Sequence, residues 1–409
     1  MHDRPIHVPC DDSVLQLEDG AELPLRRSHG YAPLPVRLPF DVAPTLAVGG
    51  ELKNAFCLAS GRDAFMSQHI GDMGSLETWG AFERSTRQFG DLYGIAPGRV
   101  AADRHPAYLT RRWAEDVPGL PVVPVQHHHA HVVSLMAEHG LPPGERVIGF
   151  TFDGTGYGDD GTIWGGEVLV AGYDAYERVG RLRPIPLPGG DAAIRRPWRA
   201  ALAHLWAAGI PWDPDLPPVA AGTERERSAL RRQLERDVAC VPTSSMGRLF
   251  DAVSALLGLR QEADYEAQPA MELEWAADAA GAADGEGAPP AYRFEVTGAD
   301  LDPVPVLRAL VDDRRSGVAV GTMAARFHAA VGRLVGDVAE RERARTGLGV
   351  VALSGGVFQN VLLTRLARRE LAARGLQVLT HRVVPPNDGG LALGQAVVAG
   401  RHRAPSAGA

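Results

Sequence analysis

Cysteine is nearly absent from this chain of 409 residues: there are three, at 10, 57 and 240, far apart and in no CxxC pair. That excludes a disulfide framework and a cysteine zinc finger, and it makes a reducing, cytoplasmic setting the expectation. No apolar run approaches the ~18 residues of a membrane span, and the opening MHDRPIHVPCDDS lacks the apolar stretch of a signal peptide. A cationic excess is missing as well. The 42 Lys and Arg are outnumbered by 50 Asp and Glu, for a net charge of −8. Only a local patch could hold a nucleic-acid backbone, so neither nucleic acid nor a membrane is an expected partner. No GxxxxGK[ST] occurs, which removes the P-loop, and lysine is scarce in an Arg-rich chain.

What remains is the composition of a globular protein, 45% hydrophobic and 22% charged, long enough for two or three domains. Residues 1–32 hold one short apolar stretch, SVLQL, and cannot bury a core alone. They predict a leading strand or two docked on something larger. From residue 45, short apolar runs are punctuated by Gly or Asp: TLAVGG, KNAFCLASG and DAFMSQHIG predict three strands. A helix over about 75–92 follows, then a strand near 98–103, a helix over about 106–116, the strand LPVVPVQ, and a helix from the histidines to the stop at Gly140. The order is βββαβαβα. From 147 it restarts, with VIGFTFDG, TIWGGEVLVAGY and ERVGRLRPIPL as strands. It ends with GVVALSGG, FQNVLLTRLARRELAARG, LQVLTHR and GGLALGQAVVAG as strand, helix, strand and helix. Between the halves of this second copy, about 190–345, lies a mostly helical insertion containing the acidic loop DAAGAADGEGAPP. The expectation is therefore α/β. By analogy it is a duplicated, two-lobed actin/hexokinase-like fold with lobe I at 33–145 and lobe II at 146–403.

The run VQHHHAHVV places four of the fourteen histidines within five positions. On a helix His127 and His131 share one face, the i, i+4 spacing that suits a divalent metal; a helix start with solvated or hydrogen-bonded imidazoles reads equally well. His128 and His129 point elsewhere. The duplication adds two carboxylates. The place matching the His helix in the second copy is the helix start after VVPPNDGG, where Asp388 stands. Asp153 ends the first strand of the second copy in TFDGTGYG. Two imidazoles and two carboxylates suit iron(II) or zinc better than magnesium or manganese. Each Asp taken singly reads also as a turn cap.

Two Gly-rich segments look fit for phosphate. In DGTGYGDDG, Gly154, Thr155 and Gly156 follow a strand, and in LSGGVFQN, Ser354, Gly355, Gly356 and Asn360 lead from a strand to a helix N-terminus. Lys53 in GGELKN is either a point cation for a phosphate or a surface residue.

HHHAHVVSLMAEH, FDGTGYGDDGTIWGGE, TSSMGRLFDAVSALLGL, ALSGGVFQNVLL and PPNDGGLALGQ closely resemble the HypF carbamoyltransferases of NiFe-hydrogenase maturation, and LAVGGELKNAFCLA, SQHIGD and DRHPAYLT fit the same family. The resemblance covers nearly the whole chain but only the Kae1-like domain of a longer family architecture, which also has acylphosphatase, zinc-finger and YrdC-like parts. RPIHVPCDDSVLQL resembles the tail of the YrdC-like domain. The resemblance implies that His127, His131, Asp153 and Asp388 are metal ligands and that SGGVFQN is a nucleotide loop. It also implies that Asp251 in GRLFDAV and Glu272 in YEAQPAMELE hold the ribose hydroxyls. The family usually reads YEGQAAMELE there, so Ala267 and Pro269 depart from its pattern.

The activity implied is transfer of a carbamoyl group from carbamoyl-adenylate, itself made from carbamoyl phosphate and ATP, to the C-terminal cysteine thiol of HypE. A separate chain is one source of the acylphosphatase and YrdC-like activities. His128 or His129 is a candidate base for the thiol. The rivals are a small-molecule O-carbamoyltransferase, a tRNA threonylcarbamoyl-transferring enzyme and a nucleotide-binding scaffold without chemistry. The order of the YrdC-like remnant, the acidic charge and the intact four-ligand set speak against them in turn.

Overall fold

The computed structural model describes residues 10–18, 20–281 and 292–402, so most of the acidic loop DAAGAADGEGAPP lies outside the described residues. A hairpin, β1 (Val14–Glu18) and β2 (Ala21–Arg26), leads into lobe I. That lobe runs β3 (Pro35–Ala47), β4 (Cys57–Met66), α1 (Leu76–Tyr93), β5 (Val100–Asp103), α2 (Leu109–Asp116), β6 (Val122–Val125) and α3 (His127–Glu138). Lobe II opens with β7 (Val147–Tyr157), β8 (Ile163–Ala171), β9 (Tyr176–Leu182) and β10 (Ile185–Pro188). The insertion supplies α4 (Asp191–Arg195), α5 (Pro197–Ala207), α6 (Pro217–Ala221), α7 (Glu224–Glu235), β11 (Cys240–Thr243), α8 (Met246–Leu256), α9 (Gln268–Ala279), β12 (Glu295–Thr297), β13 (Asp300–Asp302), α10 (Val304–Arg315) and α11 (Val320–Thr346). The lobe closes with β14 (Val350–Ser354), α12 (Val361–Ala373), β15 (Gln377–Leu379) and α13 (Leu391–Arg401).

The two sheets repeat one plan. Lobe I is ordered β4-β3-β5-β6 and lobe II carries β9-β8-β7-β14-β15, extended past β9 by β13 and β12. In each, the first strand pairs antiparallel with the second and parallel with the one after the helical crossover. So β3, β4, β5 and β6 correspond to β7, β8, β14 and β15, and α3 corresponds to α13.

Lobe I has one strand fewer than its sequence suggested. KNAFCLASG and DAFMSQHIG form the single strand β4, because Gly61, at φ 57°, makes a bulge opposite Val42 instead of a turn. In lobe II, β7 does not end at Asp153. Its pairing with β8 slips between Phe152 and Gly156 and then resumes at Gly156↔Trp164, so Gly154, Thr155 and Gly156 form a bulged hairpin arm rather than a free loop. The insertion is mostly helical, but β11 and β13 add parallel partners to β8 and β9.

What positions the site is the packing of α3 on α13. Every residue of α3 from His127 to Ala137 is buried, so this is an interior helix, not an amphipathic surface one. Gly394 of α13 crosses so close to it that a Cβ there would lie 1.9 Å from the Ala130 carbonyl oxygen. The helices approach backbone to backbone, and their N-terminal ends face one another across the cleft.

Candidate metal and nucleotide site

The α3 N-terminus is fixed by its own cap: the Gln126 side chain accepts from the His129 N–H at 2.8 Å. His127 and His131 then project on one face, and the short 3-10 turn Asp388–Gly390 ahead of α13 brings Asp388 to meet them. Asp153 comes from β7. Its Oδ1 accepts from the Gly154 N–H at 2.7 Å and the Gly356 N–H at 3.3 Å, which leaves Oδ2 for the cleft. His127 Nε2 stands 3.5 Å from Asp153 Oδ2 and 3.5 Å from Asp388 Oδ1; His131 Nε2 stands 3.1 Å and 3.6 Å from the same two oxygens. The four ligand atoms all fall within 4.8 Å of one another.

The electrostatics suit a cation. His127 Nε2, His131 Nε2 and Asp153 Oδ2 are buried without a hydrogen-bond partner, a costly arrangement for protein groups by themselves and the usual state of ligand atoms around a metal. Burial opposes charge on His127, but the carboxylates of Asp388, Asp103 and Asp153 outweigh it and hold the imidazole well above its ordinary range. Burial likewise opposes charge on His131, and Asp153 and Asp388 raise it. Burial also works against the charge of Asp153, which the two imidazoles hold well below the usual carboxylate range; Asp388 is lowered for the same reasons. Asp388 is the partly exposed member of the set, so the cluster opens on that side.

One participant, at the head of DRHPAYLT, was given no role by the sequence reading. Asp103, fully buried at the end of β5, accepts from His127 Nδ1 at 2.8 Å and from the His105 N–H at 2.8 Å. A carboxylate on Nδ1 fixes the tautomer that leaves Nε2 as the ligand. Tyr108, stacked on His105 at 4.2 Å between centroids, belongs to the same corner. Burial, countered by His127 and reinforced by Asp103, Asp388 and Asp153, pushes its phenol up, so it stays a neutral O–H donor.

The other expected residues are more dispersed. Gly356 lies against Asp153, and Gly355 has φ 97° with room for no Cβ, which would meet the Phe152 carbonyl oxygen at 2.3 Å. Ser354 is buried and bonded to His381 Nε2 at 2.8 Å. Asn360 is occupied as the cap of α12, its Oδ1 accepting from the Leu363 N–H at 2.7 Å. Asp251 is buried beside Arg248 at 3.0 Å and keeps one oxygen without a partner. Glu272 has both oxygens bound by Arg260, at 2.9 and 2.6 Å. Beside it Ala267 caps α9 at φ 61°, in the left-handed region that suits glycine. Lys53 pairs with Glu266 at 2.5 Å, linking lobe I to the insertion. His129 gives its Nε2 to the Gly172 carbonyl at 2.7 Å and is structural, and His128 lies buried beside Trp164, where burial first and then the neighbouring His127 hold it neutral.

Residues 149–395 match the family model described as carbamoyltransferase, Kae1-like domain, second subdomain, and residues 41–138 match the HypF Kae1-like domain. The chain belongs to the HypF carbamoyltransferase family. HypF2 of Cupriavidus necator is 40% identical over 445 residues, covering 99% of this chain and 53% of that relative. A HypF homolog of the same organism is 40% identical over 369 residues, covering 88% of this chain and 92% of that protein. A crystal structure of full-length HypF in the phosphate- and nucleotide-bound form superposes with a TM-score of 0.88 at 39% identity, covering 96% of this chain and 61% of that one. The chain thus spans about half the length of most of the curated HypF relatives it matches, and its fold is the duplicated Kae1-like one.

Proposed function

We propose that this Kae1-like domain transfers the carbamoyl group of carbamoyl-adenylate to the C-terminal cysteine thiol of HypE, in the cytoplasm, for hydrogenase maturation. The observation that carries the reading is the meeting of His127, His131, Asp153 and Asp388, with three unpartnered ligand atoms, in a chain of the HypF family. These four residues would hold one iron or zinc ion, and Asp103 would orient His127 toward it. Such an ion supplies Lewis acidity to the phosphate of the bound nucleotide.

The chain's own groups do the rest. Carbamoyl-adenylate is a mixed anhydride, so what it needs is placement, a dry setting and stabilisation of the departing phosphate. The Gly355–Gly356 segment and the bulged arm Gly154–Gly156 present backbone where a phosphate can come close, and Asp251, with its free buried oxygen, is a candidate for the ribose. Glu272 would first have to part from Arg260. The Tyr108 phenol offers a neutral O–H to the reacting carbonyl. In the transfer, the acceptor sulfur forms a bond to the carbamoyl carbon, the bond from that carbon to the phosphate oxygen breaks, and AMP leaves with the electron pair. The thiol loses its proton to solvent or a base beforehand. Carbamoyl-adenylate comes from acylphosphatase and YrdC-like activities beyond these 409 residues.

The test is an incubation of the metal-loaded chain with HypE and synthetic carbamoyl-adenylate, read by intact mass. A single carbamoyl adduct on HypE, absent when its terminal cysteine is replaced by serine, is the expected result. No adduct with a folded, metal-loaded chain would overturn the reading.

A further inference from the structure

A cavity of about 240 Å³ lies behind the Asp388 turn, between the N-terminal hairpin and the cleft. Its polar lining is Arg26, Arg27, Lys53, His69, Gln359 and Asn387, three cations and no carboxylate. Lys53 is the only lysine of the chain. Two of the cations have acidic neighbours outside the lining: Lys53 meets Glu266, and Arg26 stands 3.9 Å from Asp11.

Arg27 is the unusual member. It is 4% exposed and donates to the carbonyls of Met66, Tyr31 and Leu34, but no carboxylate of the described residues pairs with it, and its Nε has no partner. Burial drags its guanidinium down to about 10. A buried charge compensated only by carbonyl dipoles is expensive, and a buried cation without an anion beside an open, cation-lined cavity is the mark of a missing counter-ion. The cavity is also coupled to the metal centre. Asn387 donates to the Leu25 carbonyl of the hairpin at 3.1 Å and to Gln359 Oε1 at 2.7 Å, while its own oxygen accepts from the Gly389 N–H at 2.9 Å. One side chain thereby ties the hairpin and the SGGVFQ segment to the turn that carries Asp388.

We infer that this cavity is an oxyanion site, taking a carboxylate or phosphate group beside the metal centre, and that the N-terminal hairpin supplies two of its three cations. Neither Asp251 nor Glu272 lines the cavity, and the inference does not depend on carbamoyl transfer.

The single lysine makes the test direct. Lys53 would be acylated with an amine-selective reagent in the intact chain, and its labelling rate read by peptide mass with the N-terminal amine as internal control. Inorganic phosphate at about ten times its Kd should slow Lys53 labelling about tenfold by mass action, with ionic strength held constant by chloride. A short peptide ending in a free carboxylate forms a second arm, with its amidated twin as control. Protection by phosphate alone assigns the site to a phosphate group, and protection by the free but not the amidated peptide assigns it to a carboxylate. Protection should be lost in Arg26→Gln, which lies at the surface and spares the fold, and kept in His131→Ala, which separates this site from the metal. Equal labelling with and without both anions, or protection untouched by Arg26→Gln, would overturn the inference.

Discussion

Replacing Asp103 by Asn tests the one residue of the candidate metal centre that the sequence reading did not single out, although it opens the segment DRHPAYLT. The carboxylate accepts two hydrogen bonds at once, from His127 Nδ1 and from the His105 N–H, each 2.8 Å. An amide has one acceptor. Whichever way it turns, its NH2 faces either the His105 N–H or the imidazole. In the first orientation the part-buried His105 N–H loses its partner; in the second, Nδ1 is turned into an acceptor and the proton moves to Nε2, the atom meant for the metal. Outer partners of this kind are worth about 10–100-fold in metal affinity, or about 1.4–2.7 kcal/mol. Metal affinity would be measured by competition with a chelator at fixed pH. The stabilisation by metal should shrink by the same amount when the ion is held well above Kd. Asn is isosteric, so the metal-free fold should survive, as a melting curve checks. A folded Asp103→Asn protein that binds iron or zinc as tightly as the parent would refute the role given to Asp103.

Metal binding should release protons. The imidazoles of His127 and His131 are raised and face carboxylates that are lowered, so the metal-free site keeps its protons to higher pH than free histidines would, and an ion must displace them; a dye in weak buffer should register their release, and affinity should weaken as pH is lowered. The same shifts set the stability of the metal-free form. The raised imidazoles contribute below their ordinary value and lose that contribution as pH rises through the raised one, whereas the lowered carboxylates contribute above their ordinary range and lose it on acidification; melting temperature against pH should decline on both sides. Gly394→Ala should destabilise by about 1–3 kcal/mol through overpacking against Ala130, despite the better helix propensity of alanine, and should lower metal content as the helices part; an unchanged melt would contradict the close crossing. Ala267→Gly should stabilise slightly, by less than about 1 kcal/mol, because relief of the left-handed strain of about 1–2 kcal/mol exceeds the entropy cost of glycine.

The four candidate ligands were legible because metal chemistry demands particular side chains at particular spacings. His127 and His131 declared themselves by the helical repeat, and Asp388 by its place in the second copy of the fold. The duplication itself was readable from the order of strands and helices. Its missing strand was not, since Gly61 in a bulge and glycine in a turn look alike along the chain. Asp153 was found for a wrong local reason, because a bulge keeps its strand running past it. Asp103 was hidden because it acts on a histidine 24 residues away across a strand pair, and an Asp at a strand end otherwise reads as a turn cap. Asn360 and Glu272 were legible as family positions, but not their occupation by the α12 cap and by Arg260. The cation-lined cavity needed the hairpin to fold back on Lys53, a contact no periodicity encodes.

The central claim is that His127, His131, Asp153 and Asp388 act as one unit on one ion. It is tested most directly by a double-variant cycle on transfer from preformed carbamoyl-adenylate to HypE, with metal content measured on the same samples. His131→Ala and Asp388→Ala should each remove most of the transfer and most of the metal, and the double variant should be scarcely worse than either, as for groups whose loss disables a shared device. Losses that multiply independently, in folded proteins that keep their metal, would show that the residues do not share a site.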